Sequence, residues 1–440
     1  GYGAPRPAAR APGDEAGLSA AIRIRERFEK IGVKAKILND PSSDVLTNNA
    51  LPSIVLGNLA NSRCTEYLYY KHLVFTDLSY PGEEGYNIRT LIDPFGKGCN
   101  VFHIGYSDEK GLSLGLEAFF EKVQNPMPYM NLVRYKKLPY DPSYMEEIRQ
   151  SRVPEKIDLV PSVHTSLWHY IGLLAYLTGD PSPLDVYFEG WEKMIMLSQK
   201  DPILIKATHL YMTAHVEIWR LLEFSGMIPD DKRLPIEKCI FDWAKSAEGV
   251  EYAVSGGKSK ALPSHNHTMF CALSLTYAHD YFSKRYPEIL FTKEWKEAAD
   301  QVFYTFNHNG WKPLCDDSSY SNQVTLRLVV CYSIFEDEHR FLKTSAKEAA
   351  KWIKAIIGQN GMVPSYGDGS VKSPFPTFLS CVFAHFMKDG EMKWLYERFK
   401  AFNPEMNASL SRKFDSGIVP CAPEESPGIT CILLDKYTYD

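Results

Sequence analysis

Ten apolar segments with helical spacing follow one another between residues 166 and 402, and no other feature constrains the fold as strongly. Short turns rich in Gly, Asp and Pro separate them, as at Thr178-Gly179-Asp180-Pro181. The expected helices are 166–177, 184–198, 205–224, 235–247, 266–285, 293–306, 323–335, 345–357, 376–387 and 391–402. Short turns join neighbours into antiparallel hairpins, and each hairpin buries its apolar face on the next. The chain is therefore predicted to be mainly α, with an incomplete (α/α) toroid over residues 161–408.

The residues outside this region alternate between helical and extended patterns. Residues 1–17 are rich in Ala, Pro, Gly and Arg and predict a flexible segment. Residues 18–125 predict a small α/β accessory domain, with strands at 33–38, 53–56, 86–92 and 100–104 and helices between them. Residues 126–160 are assigned to a linker. Strand patterns at 416–419 and 428–434 predict a short β segment over 409–440, either docked on the helices or opening a β-sandwich.

Composition narrows the classes of partner. The 49 Lys and Arg against 54 Asp and Glu give a net charge of -5, which provides no long-range attraction to nucleic acid. An acidic ligand must therefore be met by a local polar or basic groove. No uninterrupted apolar run is long enough to span a bilayer. The nine Cys are scattered without Cys-x-x-Cys spacing, which excludes a zinc ribbon and predicts mostly small buried side chains.

Three polar loops each precede an apolar helix. The first is Ser264-His265-Asn266-His267-Thr268, the second runs from Asp316 to Gln323 and contains Tyr320, and the third runs from Gly361 to Gly369. In a ring of hairpins such loops fall on one rim, and the helix mouths behind them attract anions. The pattern indicates a binding or catalytic site on that rim.

The residue types in these loops suit β-elimination from a uronic acid. The C5 proton is weakly acidic, so an amide or imidazole must neutralise the carboxylate and stabilise the developing enolate. A base must then remove the proton, and an acid must protonate the departing O4. Asn, His and Tyr supply these functions without a metal or other cofactor, although a structural divalent cation remains open.

The loops resemble those of the heparinase II/III-like and oligoalginate-lyase group of polysaccharide lyases. The matching motifs are Asn266-His267, Asp317 to Tyr320 and Pro364-Ser365-Tyr366-Gly367-Asp368, and Asp415-Ser416-Gly417-Ile418 resembles the passage into that group's β-sandwich. The resemblance covers about residues 160–420. It implies a secreted or periplasmic lyase acting on an acidic polysaccharide such as alginate, ulvan or a glycosaminoglycan.

The resemblance also implies roles for individual residues. Asn266 would neutralise the carboxylate, His267 would be the base for one C5 configuration, and Tyr320 would protonate the leaving oxygen or act as both base and acid. His265 is the alternative imidazole. The expected substrate contacts are His265, His215, Trp168, Gln323, Arg327, Tyr366 and Asp368, with Arg327 suited to a sulfate or carboxylate.

Other interpretations stay open. A uronyl C5-epimerase uses the same proton abstraction without expelling the leaving group, and a glycoside hydrolase would use two of Asp316, Asp317 and Asp368. A glycan-binding protein without activity is the third alternative. His209, His215 and Glu217 have metal-compatible spacing on one helix, but the apolar residues around them favour a core helix, so no metal site is predicted. The oligomeric state is left open.

Overall fold

The computed structural model describes residues 13–39, 42–48, 51–138, 168–200, 209–245, 266–308, 324–336, 345–358, 361–362, 376–400 and 412–423. Within these ranges the chain is mainly helical, with fourteen helices and one four-stranded sheet. The prediction of a mainly α chain with a small α/β portion is confirmed.

The sheet and its helices occupy residues 13–138, which we call the α/β unit. Its strands are β1 (Ser53–Leu56), β2 (Tyr86–Leu91), β3 (Val101–Tyr106) and β4 (Asn131–Arg134). They lie in the order β1-β3-β2-β4, with β1 parallel to β3 and β2 antiparallel to both neighbours. Its helices are α1 (Gly13–Lys30), α2 (Asp44–Asn48), α3 (Arg63–Tyr70) and α4 (Glu109–Lys122).

The α/β unit differs from the prediction in three places. Residues 33–38 alternate as a strand would, but they form none, because the sheet ends at β1, which pairs only with β3. Helix α1 begins at Gly13, inside the segment expected to be flexible. Strand β4 falls in the expected linker, since its four residues carry little pattern and are ordered by pairing with β2. The sheet therefore extends beyond the predicted boundary at residue 125.

The rest of the described chain forms ten helices. They are α5 (His169–Thr178), α6 (Leu184–Lys200), α7 (His209–Phe224), α8 (Asp230–Lys245), α9 (Asn266–Arg285), α10 (Thr292–His308), α11 (Leu326–Phe335), α12 (Ser345–Ile356), α13 (Thr377–Met387) and α14 (Gly390–Phe399). Each corresponds to one predicted helix, and α9 has the predicted ends. The apolar periodicity was sufficient because it is a local signal.

The odd-numbered helices α5, α7, α9, α11 and α13 form one row, which we call the inner row. Nearly every residue of α5, α11 and α13 is buried, as expected for helices covered on all sides. Thr213 donates to the Phe270 carbonyl at 3.1 Å near the start of α7 and α9, and Arg285 Nε donates to Glu223 at 3.1 Å near their ends. The two helices are therefore parallel, and the even-numbered helices return between the inner ones.

A short part of the α/β unit reaches all five inner helices. We call Tyr70 to Leu73 the hub segment. The Leu73 carbonyl accepts from Tyr176 of α5 at 3.2 Å, and His72 Nδ1 lies 2.6 Å from Glu217 of α7. The His72 ring is 5.3 Å from those of both Tyr277 (α9) and Phe335 (α11), and the Tyr70 hydroxyl is 2.7 Å from His385 Nε2 of α13. All five inner helices thus contact one turn.

The turn at the hub segment is a helix C-cap that places a histidine where glycine is usual. The Leu73 N–H donates to the Leu68 carbonyl at 2.9 Å and the His72 N–H to the Tyr69 carbonyl at 3.2 Å, the paired bonds of a Schellman motif. His72 has a φ of 55°, which costs a side chain strain that glycine avoids. The imidazole is kept there because its contacts offset that strain.

After α14, residues Arg412 to Gly417 cross the hub segment and α13; we call them the strap. No strand occurs within residues 412–423, so the prediction of a strand at 416–419 is wrong. Individual hydrogen bonds replace strand pairing: the Phe414 N–H donates to the Tyr69 hydroxyl at 3.0 Å, and the Leu78 N–H donates to the main-chain carbonyl of Asp415 at 3.0 Å. The strand expected at 428–434 lies outside the described residues.

Two apolar cores result. The smaller lies between the sheet and helices α1 and α4. The larger joins the other side of the α/β unit, including Leu68, Leu73 and Phe75, to inner-row residues such as Trp219 and Phe335. The α/β unit and the helices therefore share one core and stabilise each other.

The hub contact gives a first prediction. Glu217→Gln should lower the free energy of unfolding by about 3 kcal/mol, because it leaves the buried charge of Arg412 without a carboxylate nearby. Urea denaturation followed by circular dichroism measures the change. Glu189→Gln, at an exposed position on α6, is the matched control and should change stability by less than about 0.5 kcal/mol. Equal effects of the two substitutions would contradict this account of the hub.

Candidate functional site

The inner helices all begin at the same end of the row. Their C-terminal ends contact the α/β unit: the Leu177 carbonyl accepts from Tyr80 at 2.8 Å, the Phe224 carbonyl accepts from the Ile92 N–H at 2.6 Å, and Lys71 donates to the Phe335 carbonyl. Their first residues therefore lie at the opposite end, which we call the N-terminal rim. His169, His209, Asn266, Leu326 and Thr377 open these helices.

The three predicted loops precede helices that begin at the N-terminal rim, and of the loop residues the structure describes 266–268 and 361–362. Asn266 and His267 are the first two residues of α9. Arg327 lies in the first turn of α11, and Thr377, eight positions after the end of the third loop, opens α13. His265, Tyr320, Gln323, Tyr366 and Asp368 lie outside the described residues. Their assignments stay predictions.

Arg327 is partly exposed at this rim, in the first turn of its helix. Among the described residues, no carboxylate forms an ion pair with it. A guanidinium beside a helix N-terminus offers two attractions to the same anion, the side-chain charge and the helix dipole. Its position is therefore compatible with the predicted contact to a carboxylate or sulfate.

Trp168, the N-cap of α5, and His215, in the second turn of α7, do not reach the surface. Both are fully buried, and their rings stack with centroids 4.2 Å apart. Trp191 packs edge-on to Trp168 at 4.9 Å, and His169 packs edge-on to His215 at 5.3 Å. These residues form an aromatic layer in the core, so a direct contact to a sugar would require movement of the residues above them.

His215 and Glu217 do not act together, although their spacing on one helix is compatible with a metal. His215 faces the aromatic layer, whereas Glu217 faces His72. No group of three or more His, Cys, Asp or Glu suited to a metal occurs within the described residues. The core interpretation of this helix agrees with their complete burial.

The protonation of His72 follows from its two partners. Arg412 Nη2 lies 2.6 Å from Nε2, and because arginine only donates, Nε2 accepts. The proton is then on Nδ1, which lies 2.6 Å from Glu217 Oε1. Burial, followed by the charge of Arg412, lowers the pKa of His72 to about 4. A neutral imidazole therefore links the carboxylate to the guanidinium at neutral pH.

A second polar chain crosses from α3 to the strap. The Tyr70 hydroxyl donates to Glu66 Oε1 at 2.8 Å and lies 2.7 Å from His385 Nε2. His385 Nδ1 in turn lies 2.7 Å from Ser416 Oγ. With Glu66 ionised, the order of donors runs from Ser416 through His385 and Tyr70 to the carboxylate. This chain fixes the strap to the end of α13.

Two carboxyl groups, the buried Asp77 and the half-buried Asp415, hold the other side of the strap. Asp77 accepts from the Ser79 and Tyr80 N–H groups at 2.8 and 2.9 Å and from the Tyr69 hydroxyl at 2.9 Å. Burial and then the neighbouring charge of Asp415 raise the pKa of Asp77 to about 6. Asp415 accepts from Ser79 Oγ at 2.7 Å.

Sequence reasoning did not identify His72, Arg412, His385 or Asp77. His72, Arg412 and His385 have partners that are far away in the chain, whereas Asp77 bonds to the nearby Tyr69, Ser79 and Tyr80. None of the four stands in a recognisable motif. The one available signal was His72 directly after a short helix, at a position where a glycine would be ordinary.

Comparisons with known proteins do not assign the chain. No protein-family model matches it, and neither the curated proteins nor the solved structures contain a match. Among the described helices, none is long and apolar enough to cross a membrane. Cys64, Cys239, Cys271, Cys331 and Cys381 are buried, as expected for small core residues.

The buried histidines predict how stability depends on pH. The pKa values of His72 and His103 are lowered to about 4 and about 3 by burial, so between pH 6.5 and 4 the unfolded chain binds more protons than the folded one. The free energy of unfolding should therefore fall with decreasing pH, by about 1.4 kcal/mol per unit for each histidine. Asp77, with its pKa raised to about 6, opposes this trend between about pH 4 and 6.

Urea unfolding at closely spaced pH values tests the predicted direction of each change in the free energy of unfolding. His72→Gln should flatten the dependence between pH 4.5 and 6 by the contribution of one histidine, and Asp77→Asn should steepen it. Identical slopes for His72→Gln and the unaltered protein would show that His72 is not neutral in the folded state.

Proposed function

We propose that the protein is a polysaccharide lyase that cleaves a uronic-acid glycan by β-elimination at the N-terminal rim. The proposal includes the architecture: the inner helices and the even-numbered helices between them form an incomplete (α/α) toroid around the hub segment. The support for this arrangement is that all five inner helices contact one four-residue turn. Helices that share so small a contact must be arranged around it.

The observation that carries the proposal is the shared direction of the inner helices. Asn266 opens α9, the loop with Tyr320 leads into α11, and the loop with Tyr366 and Asp368 leads into α13. Because these helices begin at one rim, we expect the three loops, which are far apart in the chain, to converge there. The convergence of Asn, His and Tyr is what metal-free β-elimination needs.

The rim also suits an acidic substrate. Helix N-termini carry partial positive charge, and several of them at one end reinforce one another over short distances. Arg327 adds a full charge without an ionic partner among the described residues. A protein with a net charge of -5 can therefore still attract a polyanion to this end.

The residues divide the reaction among them. Asn266 hydrogen-bonds the uronate carboxylate and stabilises the enolate that forms when the C5 proton leaves. His267 or His265 removes that proton in one C5 configuration, and Tyr320 removes it in the other. Tyr320 also protonates O4 as the C4–O4 bond breaks, which leaves a C4–C5 double bond in the product.

A first test of the reaction uses its product. Incubation with alginate, heparan, chondroitin, hyaluronan, glucuronan and ulvan should give ultraviolet absorbance from the new conjugated double bond with at least one of them. Tyr320→Phe should reduce kcat on that substrate by at least about a hundredfold, because the acid is lost. Asp368→Asn is the comparison: a glycoside hydrolase would lose activity with Asp368→Asn and tolerate Tyr320→Phe.

Further outcomes separate the alternatives. Exchange of the C5 proton with solvent deuterium without any absorbance would indicate an epimerase. Binding without either signal across the panel would contradict catalysis and leave a glycan-binding protein.

A second test concerns Arg327. Arg327→Ala should raise KM by about tenfold with little change in kcat, as expected when an interaction is equal in the ground and transition states. Arg398→Ala removes an exposed arginine from α14 and is the matched control. If both substitutions leave KM unchanged, the substrate does not bind at this part of the rim.

A further inference from the structure

Two buried side chains at the base of the inner row have donor groups without acceptors. Arg220 of α7 is fully buried; its Nη2 donates to Asp280, but no described residue accepts from its Nε or Nη1. The buried hydroxyl of Tyr277 on α9 also has no partner within the described ranges. Arg220 Cζ lies 5.8 Å from the centre of the Tyr277 ring. Buried donors are normally paired, so this grouping requires an explanation.

The same place has more positive than negative charge. Asp280 is bonded by Arg220 and by Lys284, whose Nζ lies 2.8 Å from Oδ1, and the charge of Lys71 also acts on this carboxylate. Lys71 Nζ and Arg220 Cζ lie 4.8 and 4.9 Å from the centre of the Phe335 ring. Arg220, Lys284 and Lys71 therefore act on one carboxylate, Asp280, and two of them, Lys71 and Arg220, also lie beside the Phe335 ring. The carboxylate of Glu217 acts on Tyr277 at the same place.

The excess of positive charge contributes to a lowered pKa at Lys284. Burial lowers the pKa of Lys284, and the charges of Arg220 and Lys71 lower it further, so that the attraction of Asp280 does not restore its usual value. A bound anion would remove this repulsion. It would also accept from the donors that lack partners.

We propose that a small inorganic anion of halide size binds between Arg220 and Tyr277, at the base of the inner row. The free Arg220 nitrogens and the Tyr277 hydroxyl are buried, which favours a monatomic ion over sulfate, phosphate or a sugar carboxylate. A halide accepts several N–H and O–H donors without directional demands. The site lies at the end opposite the N-terminal rim, so it does not depend on the proposed lyase activity.

Thermal unfolding tests the site. Replacing gluconate with chloride at constant ionic strength should raise Tm in a saturable way, and bromide should have the same effect. Tyr277→Phe keeps the ring and removes only the hydroxyl, so the variant should fold and bind chloride about tenfold more weakly. Tyr176→Phe is the matched control, since the hydroxyl of this buried inner-row tyrosine donates to the Leu73 carbonyl at 3.2 Å. It should lower Tm equally in both salts.

Crystals soaked in bromide give an independent readout. An anomalous peak within hydrogen-bonding distance of Arg220 Nε or Nη1 and the Tyr277 hydroxyl would support the proposal. A linear, unsaturable effect common to chloride, sulfate and gluconate, together with no peak beside Arg220, would overturn it. A saturable effect that is unchanged in Tyr277→Phe would place the anion elsewhere and also contradict the proposal.

Discussion

The close contact between His72 Nδ1 and Glu217 Oε1 is the contact on which the rest of the structure depends. It is buried on both sides, and its strength comes from the exclusion of water and from Arg412 on the other imidazole nitrogen. Through it the α/β unit, the inner row and the strap meet at one ring. The left-handed backbone at His72 makes sense only together with these contacts, because a glycine there would cap α3 with less strain.

Charge is distributed along the inner helices in agreement with their dipoles. Cations collect at the C-terminal ends: Lys71 donates to the Phe335 carbonyl, and Arg89 donates to the Tyr176 carbonyl. These bonds satisfy carbonyl groups that a buried helix end would otherwise leave unpaired. The shared direction of the helices therefore puts these bonds to main-chain carbonyls at the end opposite the N-terminal rim.

Much of the fold followed from local sequence patterns. Helix α9 has the predicted ends, since its apolar spacing begins after a polar loop and ends at Lys284 and Arg285. Strand patterns were less reliable, because a strand needs a partner: residues 33–38 have the alternation without a neighbour, while β4 has a neighbour with little alternation. The hub could not be predicted, since His72 and Glu217 meet only after the helices pack.

The candidate site was predicted from residue types, whereas the fold was predicted from periodicity. The loops around Asn266 and Tyr320 were singled out by residue type, and the helices that follow them, α9 and α11, begin at the same rim. Trp168 and His215 were selected as groove residues because they are aromatic and polar. Their stacking inside the core shows that such residue types serve packing equally well.

The strap affects how the protein folds during its synthesis on the ribosome. Arg412 and Tyr69 are 343 positions apart, and contacts that close such long loops form late because so much chain must first be ordered. The α/β unit is synthesised first, so the apolar surface around Leu73 and Phe75 is exposed until the helices that cover it have been made. Until the strap arrives, a nascent chain has an uncovered binding surface for chaperones and a route to misassembly. The segment that completes the buried network is therefore also the one whose synthesis ends that exposure.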